Sequence, residues 1–270
     1  NYDGLDDKNA SLKIASQINA NHHIVNLDTI DSVKVLENVA LNSFDGMLEE
    51  GTAAFQMLAV RGRELGVKVM LISDGPDEFL AGYTPDVELI LANGLINKKS
   101  VFNFSPNHET NNKAVMSLMF PEYNFNQLKP YFGNIDRCYE PILDFMDTSQ
   151  LIALSYASYS IPDYNNLRSD RGFMAASIES RSPFLAPKMV EFLIALPQKF
   201  RVSKQYSSKA ILRNIIDKKL GDYISNRPKK GFSEPLWYNS DLKNALSFDE
   251  VILDSQTLSM LPFGESFKEN

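Results

Sequence analysis

The chain has 270 residues, 44% of them hydrophobic and 23% charged, with a formal net charge of −7. That length allows one large core or two small ones, and the acidic balance excludes a general nucleic-acid binder, which would carry a basic excess. No apolar run approaches membrane-spanning length and no signal-peptide pattern opens the chain, while a lone cysteine, Cys138, permits no internal disulfide framework and fits a reducing cytoplasm.

In chain order, Asn1-Tyr2-Asp3-Gly4 reads as a loop leaving a strand, as in a processed product, a fragment or the remainder of something longer. Leu12, Ile14, Ala15 and Ile18 recur at helical spacing, with Asp6 and Asp7 ahead of them as caps. His23 to Leu27 reads as a short strand. Asp28 to Leu41 and Thr52 to Leu65 read as helices, the second ending at Gly66. Val67 to Ile72 is apolar without alternation, the signature of a strand buried on both faces of a parallel sheet.

Residues 84–150 mix Asn, Phe, Pro and Tyr without firm periodicity and read as a variable insertion of short helices and loops. From Leu151 to about Leu220 the pattern is helical, broken near Pro183 and Pro197. Residues 236–270 give weak signals and read as a loosely packed tail. The expected architecture is α/β: a doubly wound parallel sheet with a largely helical C-terminal half, in a single domain spanning residues 1–270.

Three segments carry chemistry. Immediately after the apolar strand, Ser73-Asp74-Gly75-Pro76-Asp77-Glu78 places three carboxylates where ligands sit in open α/β folds, just beyond the carboxyl end of a strand. A solvated Asp-Gly turn is the plain alternative. In D-R-G-F-M-A-A-S-I-E-S-R-S-P-F-L, Asp170 to Leu185, Met174, Ile178 and Arg171 fall on one helical face. Glu179 and Arg181 are expected to pair, with each other or with neighbours, and to shape a pocket floor; the following run Met189, Val190, Phe192, Leu193 suggests packing. In R-P-K-K-G-F-S-E-P, Pro228 and Gly231 make a loop that presents Arg227, Lys229 and Lys230 as an anion-binding lid, against a solvated basic turn as the alternative.

The order of these segments resembles the synthetase domain of the asparagine synthetase family. Its acidic motif, S-G-(E/D)-G-x-D-E-x-F-x-G-Y, is matched by Ile72 to Tyr83. Its D-R segment is matched by Asp170 to Leu185, its K-x-x-L-R helix by Lys209, Leu212 and Arg213, and its R-P-K-x-G-F loop by Arg227 to Phe232. The resemblance spans roughly residues 1–235 and implies a PP-loop fold that binds ATP and Mg²⁺, adenylates a carboxylate such as aspartate, and lets ammonia displace AMP. It implies Asp77 as the Mg²⁺ ligand, Lys229 as the phosphate-contacting lysine, and Asp74 as the acid that helps the amine lose its proton. The nucleotide would approach Ile72, Ser73, Gly75 and Lys229, with Asp170, Arg171, Glu179 and Arg181 shaping the pocket.

Several positions depart from the family pattern. Ile72 and Ser73 replace its serine and glycine, Pro76 replaces a small residue, Ala186 replaces an aspartate, and Leu41-Asn42-Ser43-Phe44 replaces its D-E-P segment, so aspartate is one candidate acceptor beside a uronic acid or a peptide carboxylate. The family's S-G-G-x-D-S phosphate loop is expected before residue 1 or from a partner chain. A glutaminase domain or chain is the expected nitrogen source, and a homo-oligomer is left open. A binding or scaffold subunit that keeps the fold without catalysis is the competing function, and a ligase making NAD or GMP a weaker one. The hydrolase nucleophile elbow, calcium-loop spacing, and a metal site built on His22, His23 and His108 are all absent from the sequence.

Overall fold

In the computed structural model of the chain, residues 4–25, 41, 50–92 and 139–229 are described. Helix α1, Gly4–Gln17, contains Asp6 and Asp7 rather than following them. Its Ala15 is buried, but Leu12 and Ile18 remain exposed. The strand expected from His23 is not formed over 23–25, and its last two residues lie outside the described ones, as does the helix expected over 28–41 apart from Leu41, which is helical. Helix α2, Glu50–Glu64, starts two residues before the expected Thr52. It ends where Gly66 takes φ 77°, with the Gly66 N–H on Arg63 O and the Val67 N–H on Gly62 O, both at 2.9 Å.

The expected buried strand shortens to β1, Val69–Leu71. It pairs in parallel with β2, Glu179–Arg181, in the register Val69↔Glu179, Met70↔Ser180 and Leu71↔Arg181. Full burial does not follow: Leu71 is 73% exposed, and the strand alternates exposed and half-buried positions. Among the described residues the sheet has two strands, too little surface to bury both faces of a strand. A doubly wound sheet is thus not seen among the described residues, which are largely helical. β2 also interrupts the helix expected after Leu151. Glu179 and Arg181 therefore lie in a strand, and Ile178, expected on the helical face with Met174, precedes that strand in the core, while Met174 is exposed.

Two short helices follow β1: α3, Pro76–Phe79, and α4, Thr84–Leu91. The insertion expected over 84–150 thus begins with a regular helix; residues 93–138 lie outside the described ones. Helix α5, Thr148–Ser155, is capped by Asp147, whose Oδ1 accepts from the Gln150 N–H at 2.9 Å. It runs into a π-helix, Tyr156–Asn165, and then α6, Asn166–Met174. Pro162 inside the π-helix lacks an N–H, consistent with a local departure from α geometry. After β2 come a 3₁₀ turn, Pro183–Leu185, α7, Pro187–Ala195, and a second 3₁₀ turn, Gln198–Phe200, so both prolines interrupt the helical pattern as expected. Helices α8, Ala210–Leu220, and α9, Asp222–Ser225, complete the described chain.

The main core gathers Phe79, Leu80, Ile90, Leu151, Ile152, Tyr156 and Leu193, so α3, α4, α5 and α7 close around one apolar centre. A smaller cluster of Phe55, Ala59, Phe173, Ala176 and Ile178 packs α2 against α6, where Phe55 and Phe173 meet at 5.3 Å. Arg201 is wholly buried and makes no ion pair among the described residues. Its Nε donates to Phe79 O at 2.8 Å and its Nη2 to Leu193 O at 2.6 Å, with Leu196 O and Ser149 Oγ as further acceptors. One arginine thus satisfies the open C-terminal carbonyls of α7 and ties them to the end of α3. Burial lowers its pKa to about 10.

Candidate active site

β1 delivers the chain into the acidic turn, and the D-R segment packs behind it. Ser182 Oγ donates to Asp74 O at 2.6 Å. Gly75 takes φ 109°, and a Cβ there would meet Leu185 Cδ2 at 2.9 Å and Phe184 Cβ at 3.2 Å, so only glycine makes this turn unstrained. Pro76 opens α3 at a position where a helix leaves its N–H free, so this departure from the family pattern carries no hydrogen-bond penalty. Glu78 is buried and accepts three bonds: from the Gly75 N–H at 3.1 Å, Tyr83 OH at 2.6 Å and Asn165 Nδ2 at 2.9 Å. Three donors satisfy a desolvated carboxylate and bind the turn to the π-helix.

Asp77 receives two lysines from distant parts of the chain, Lys209 Nζ on Oδ1 at 2.7 Å and Lys229 Nζ on Oδ2 at 3.7 Å. Lys209 sits in the left-handed region, φ 48° and ψ 37°, where it precedes α8 and its N–H donates to Leu80 O at 2.9 Å. A non-glycine residue held in that region stores strain of the kind found at functional sites. Arg213 of α8 donates to the carbonyls of Ser225 and Arg227, the latter at 3.0 Å, and so anchors the start of the loop that carries Lys229. A Cβ on residue 82 would lie 1.8 Å from Asp77 Oδ1, so Gly82 leaves the room this carboxylate occupies.

Asp74 is held differently. Its Oδ1 pairs with Arg168 Nη2 at 3.3 Å and its Oδ2 accepts from Ser169 Oγ. The Arg168 guanidinium lies 5.2 Å from the Phe55 ring and 5.3 Å from the Tyr164 ring. Behind both acids, burial pushes the hydroxyl pKa values of Tyr83 and Tyr156 well above the usual range, with Glu78 reinforcing the first and Asp86 the second.

These groups line a cavity of about 1040 Å³, walled by the acidic turn, the π-helix, α8 and the Arg227–Lys229 segment. Of the residues singled out in the sequence, Ile72, Ser73, Asp74, Asp77 and Lys229 line it, and Gly75 lies within the turn. The others do not. Asp170 is exposed on α6 and Arg171 half-buried. Glu179 and Arg181 do pair, at 2.9 Å, and Arg181 holds the Glu179 carboxyl below its usual range. They do so on the exposed sheet, and the pocket floor expected of them is made instead by side chains of the π-helix and α6. Arg168 and Ser169, immediately ahead of Asp170-Arg171, went unremarked in the sequence, as did Tyr156 and Asn165. Lys209 was visible only as part of a K-x-x-L-R segment.

No cluster of three or more His, Cys, Asp or Glu side chains suited to a metal occurs among the described residues. Asp77 nevertheless suits Mg²⁺, which is commonly held by one or two carboxylates together with substrate phosphate oxygens rather than by an all-protein cage.

The chain matches asparagine synthase over residues 1–265. The chain belongs to the asparagine synthase family. Membership implies an α/β fold of the PP-loop type, of which β1, β2 and the surrounding helices are the described part. A relative in Bacillus subtilis (strain 168), named asparagine synthetase [glutamine-hydrolyzing] 2, is 28% identical over 193 residues. That alignment covers 66% of this chain and 22% of the relative, so this asparagine synthase family member spans under a quarter of the curated relative it matches. No helix among the described residues is long and apolar enough to cross a membrane.

Proposed function

We propose that residues 1–270 form a synthetase domain, part of an ATP- and Mg²⁺-dependent amide-forming ligase that adenylates a carboxylate for attack by ammonia. The observation that carries this is Asp77: one carboxylate, beyond the carboxyl end of β1, shared by Lys209 and Lys229 in a cavity. Family membership supports a carbon–nitrogen ligase. The glutamine-hydrolysing relative supports a glutaminase domain or partner chain as the ammonia source.

In this reading Asp77 would hold Mg²⁺, which when bound offsets phosphate charge. Lys209 and Lys229, released from Asp77, turn to the phosphate oxygens and neutralise the charge that builds as pyrophosphate leaves. Arg213 keeps the Lys229 segment in reach. Asp74 already accepts from Arg168 and Ser169 on both oxygens, an arrangement that suits orienting an acceptor more than taking a proton from the amine.

The test is carboxylate-dependent exchange of pyrophosphate into ATP by the complete protein, with aspartate and other carboxylates in turn. Mg²⁺-dependent exchange with at least one acid is expected. Absence of exchange with every acid rejects the ligase reading. Mg-ATP binding abolished by Asp77→Ala would further set the protein apart from a scaffold.

A further inference from the structure

One carboxyl beside the cavity is left unused by that scheme. Asp86, in the first turn of α4, is completely buried. A carboxylate at such a position ordinarily accepts a helix N–H. Among the described residues, Oδ1 accepts only from Tyr156 OH, at 3.1 Å, and the buried Oδ2 has no partner. As a helix cap or a structural ion pair the residue is therefore poorly explained, since a buried, half-satisfied carboxyl opposes folding. Tyr156, its single partner, stands in the cavity wall and packs 5.9 Å from the Tyr83 ring.

We propose that Tyr156 and Asp86 form the relay that takes the proton from ammonia as the amide forms. The proposal rests on the ligase reading above. In the step, the ammonia nitrogen bonds to the acyl carbon and the bond from that carbon to the AMP oxygen breaks, its electron pair leaving with AMP. One N–H proton passes to the Tyr156 phenol oxygen while the phenol's own proton passes to Asp86 Oδ1. After product leaves, the proton returns by the same route.

Burial is the chief reason the Asp86 carboxyl is poised for this. It raises the pKa to about 7, with Glu78 and Asp77 of the acidic turn adding to the rise and the Tyr156 hydrogen bond opposing it. Those three groups are the ionisable neighbours acting on it, from α3 and the π-helix. A base near neutrality, reached through one hydroxyl, matches what proton removal at physiological pH requires. Asp77 and Asp74 are both occupied by cations and suit that task less well.

The test uses the complete protein and compares two rates under one set of conditions: pyrophosphate exchange, and ammonia-dependent amide formation at constant free ammonia. The acid is whichever one supports exchange. Asp86→Asn and Tyr156→Phe are each expected to lower the ratio of amide formation to exchange at least tenfold. The wild-type ratio should rise with pH through about 7, and that rise should disappear in Asp86→Asn. Tyr156→Phe keeps the ring packing, so it reports even where Asp86→Asn folds poorly. If both rates fall together, or the ratio and its pH profile stay unchanged, the relay is wrong while the ligase reading stands. If the wild type shows no exchange with any acid, both are wrong.

Discussion

The acidic turn and the first turn of α4 lie within a dozen residues of each other, yet they treat their carboxyls in opposite ways. In the turn, Asp74, Asp77 and Glu78 each have charged or multiple donors: an arginine and a serine, two lysines, and three neutral donors. Asp86 has one neutral donor and a bare oxygen. A carboxylate matched with mobile cations is ready to exchange ions, and one stripped of partners is ready to exchange a proton. The difference arises from what reaches each residue through the fold.

The largest effect should come from breaking the ion-exchanging side. Asp77→Ala removes the group that both lysines share and is expected to lower pyrophosphate exchange by about 10³-fold, in the range seen when one key electrostatic contact is lost. Initial rates over a Mg²⁺ series would check it, and a loss below tenfold would remove Asp77 from the centre of the site.

Asp86 tests the other side through stability. Its ordinary pKa of 3.8 rises to about 7 on folding, so the folded state holds a proton that the unfolded chain releases. Below about pH 4 both states are protonated and there is no penalty. As pH rises from about 4 to 7, stability falls by up to about 4 kcal/mol and stays lower above that. Asp86→Asn, uncharged throughout, should therefore gain stability over the wild type as pH rises through this window. Urea unfolding at pH 5 and pH 8 measures it, and an equal difference at both values would contradict the shifted carboxyl.

The smallest effect is expected at the exposed pair. Glu179→Ala and Arg181→Ala leave the cavity wall intact and should change neither pyrophosphate exchange nor the melting temperature measurably, since exposed pairs contribute little. A tenfold fall in exchange with either variant would restore them to the site.

The sequence made parts of the site readable and left others hidden. The turn from Ser73 to Glu78 stood out because three acids followed an apolar run, and Lys229 because proline and glycine bracket a basic loop. Asp86 falls in the stretch read as a variable insertion, and Tyr156 in the helical pattern that starts at Leu151. Their pairing spans seventy residues and depends on the π-helix turning Tyr156 toward α4. Arg168 and Ser169 were passed over for the adjacent Asp170 and Arg171, because motif order singles out residue types and not the face that meets the cavity. β2 escaped for a related reason. Glu179-Ser180-Arg181 has little intrinsic strand preference, and parallel pairing with β1 makes it a strand.

Sequence alone therefore determined the family, the order of its motifs and the acidic turn at a strand end, because these are written in local composition and spacing. The tertiary structure decided which charges meet. Lys209 and Lys229 converge on Asp77, Arg168 pairs with Asp74, and Asp86 is buried with a tyrosine as its only partner among the described residues. Those outcomes follow from long-range packing and desolvation, which change the chemistry of a carboxyl without changing a letter of its neighbourhood in the chain.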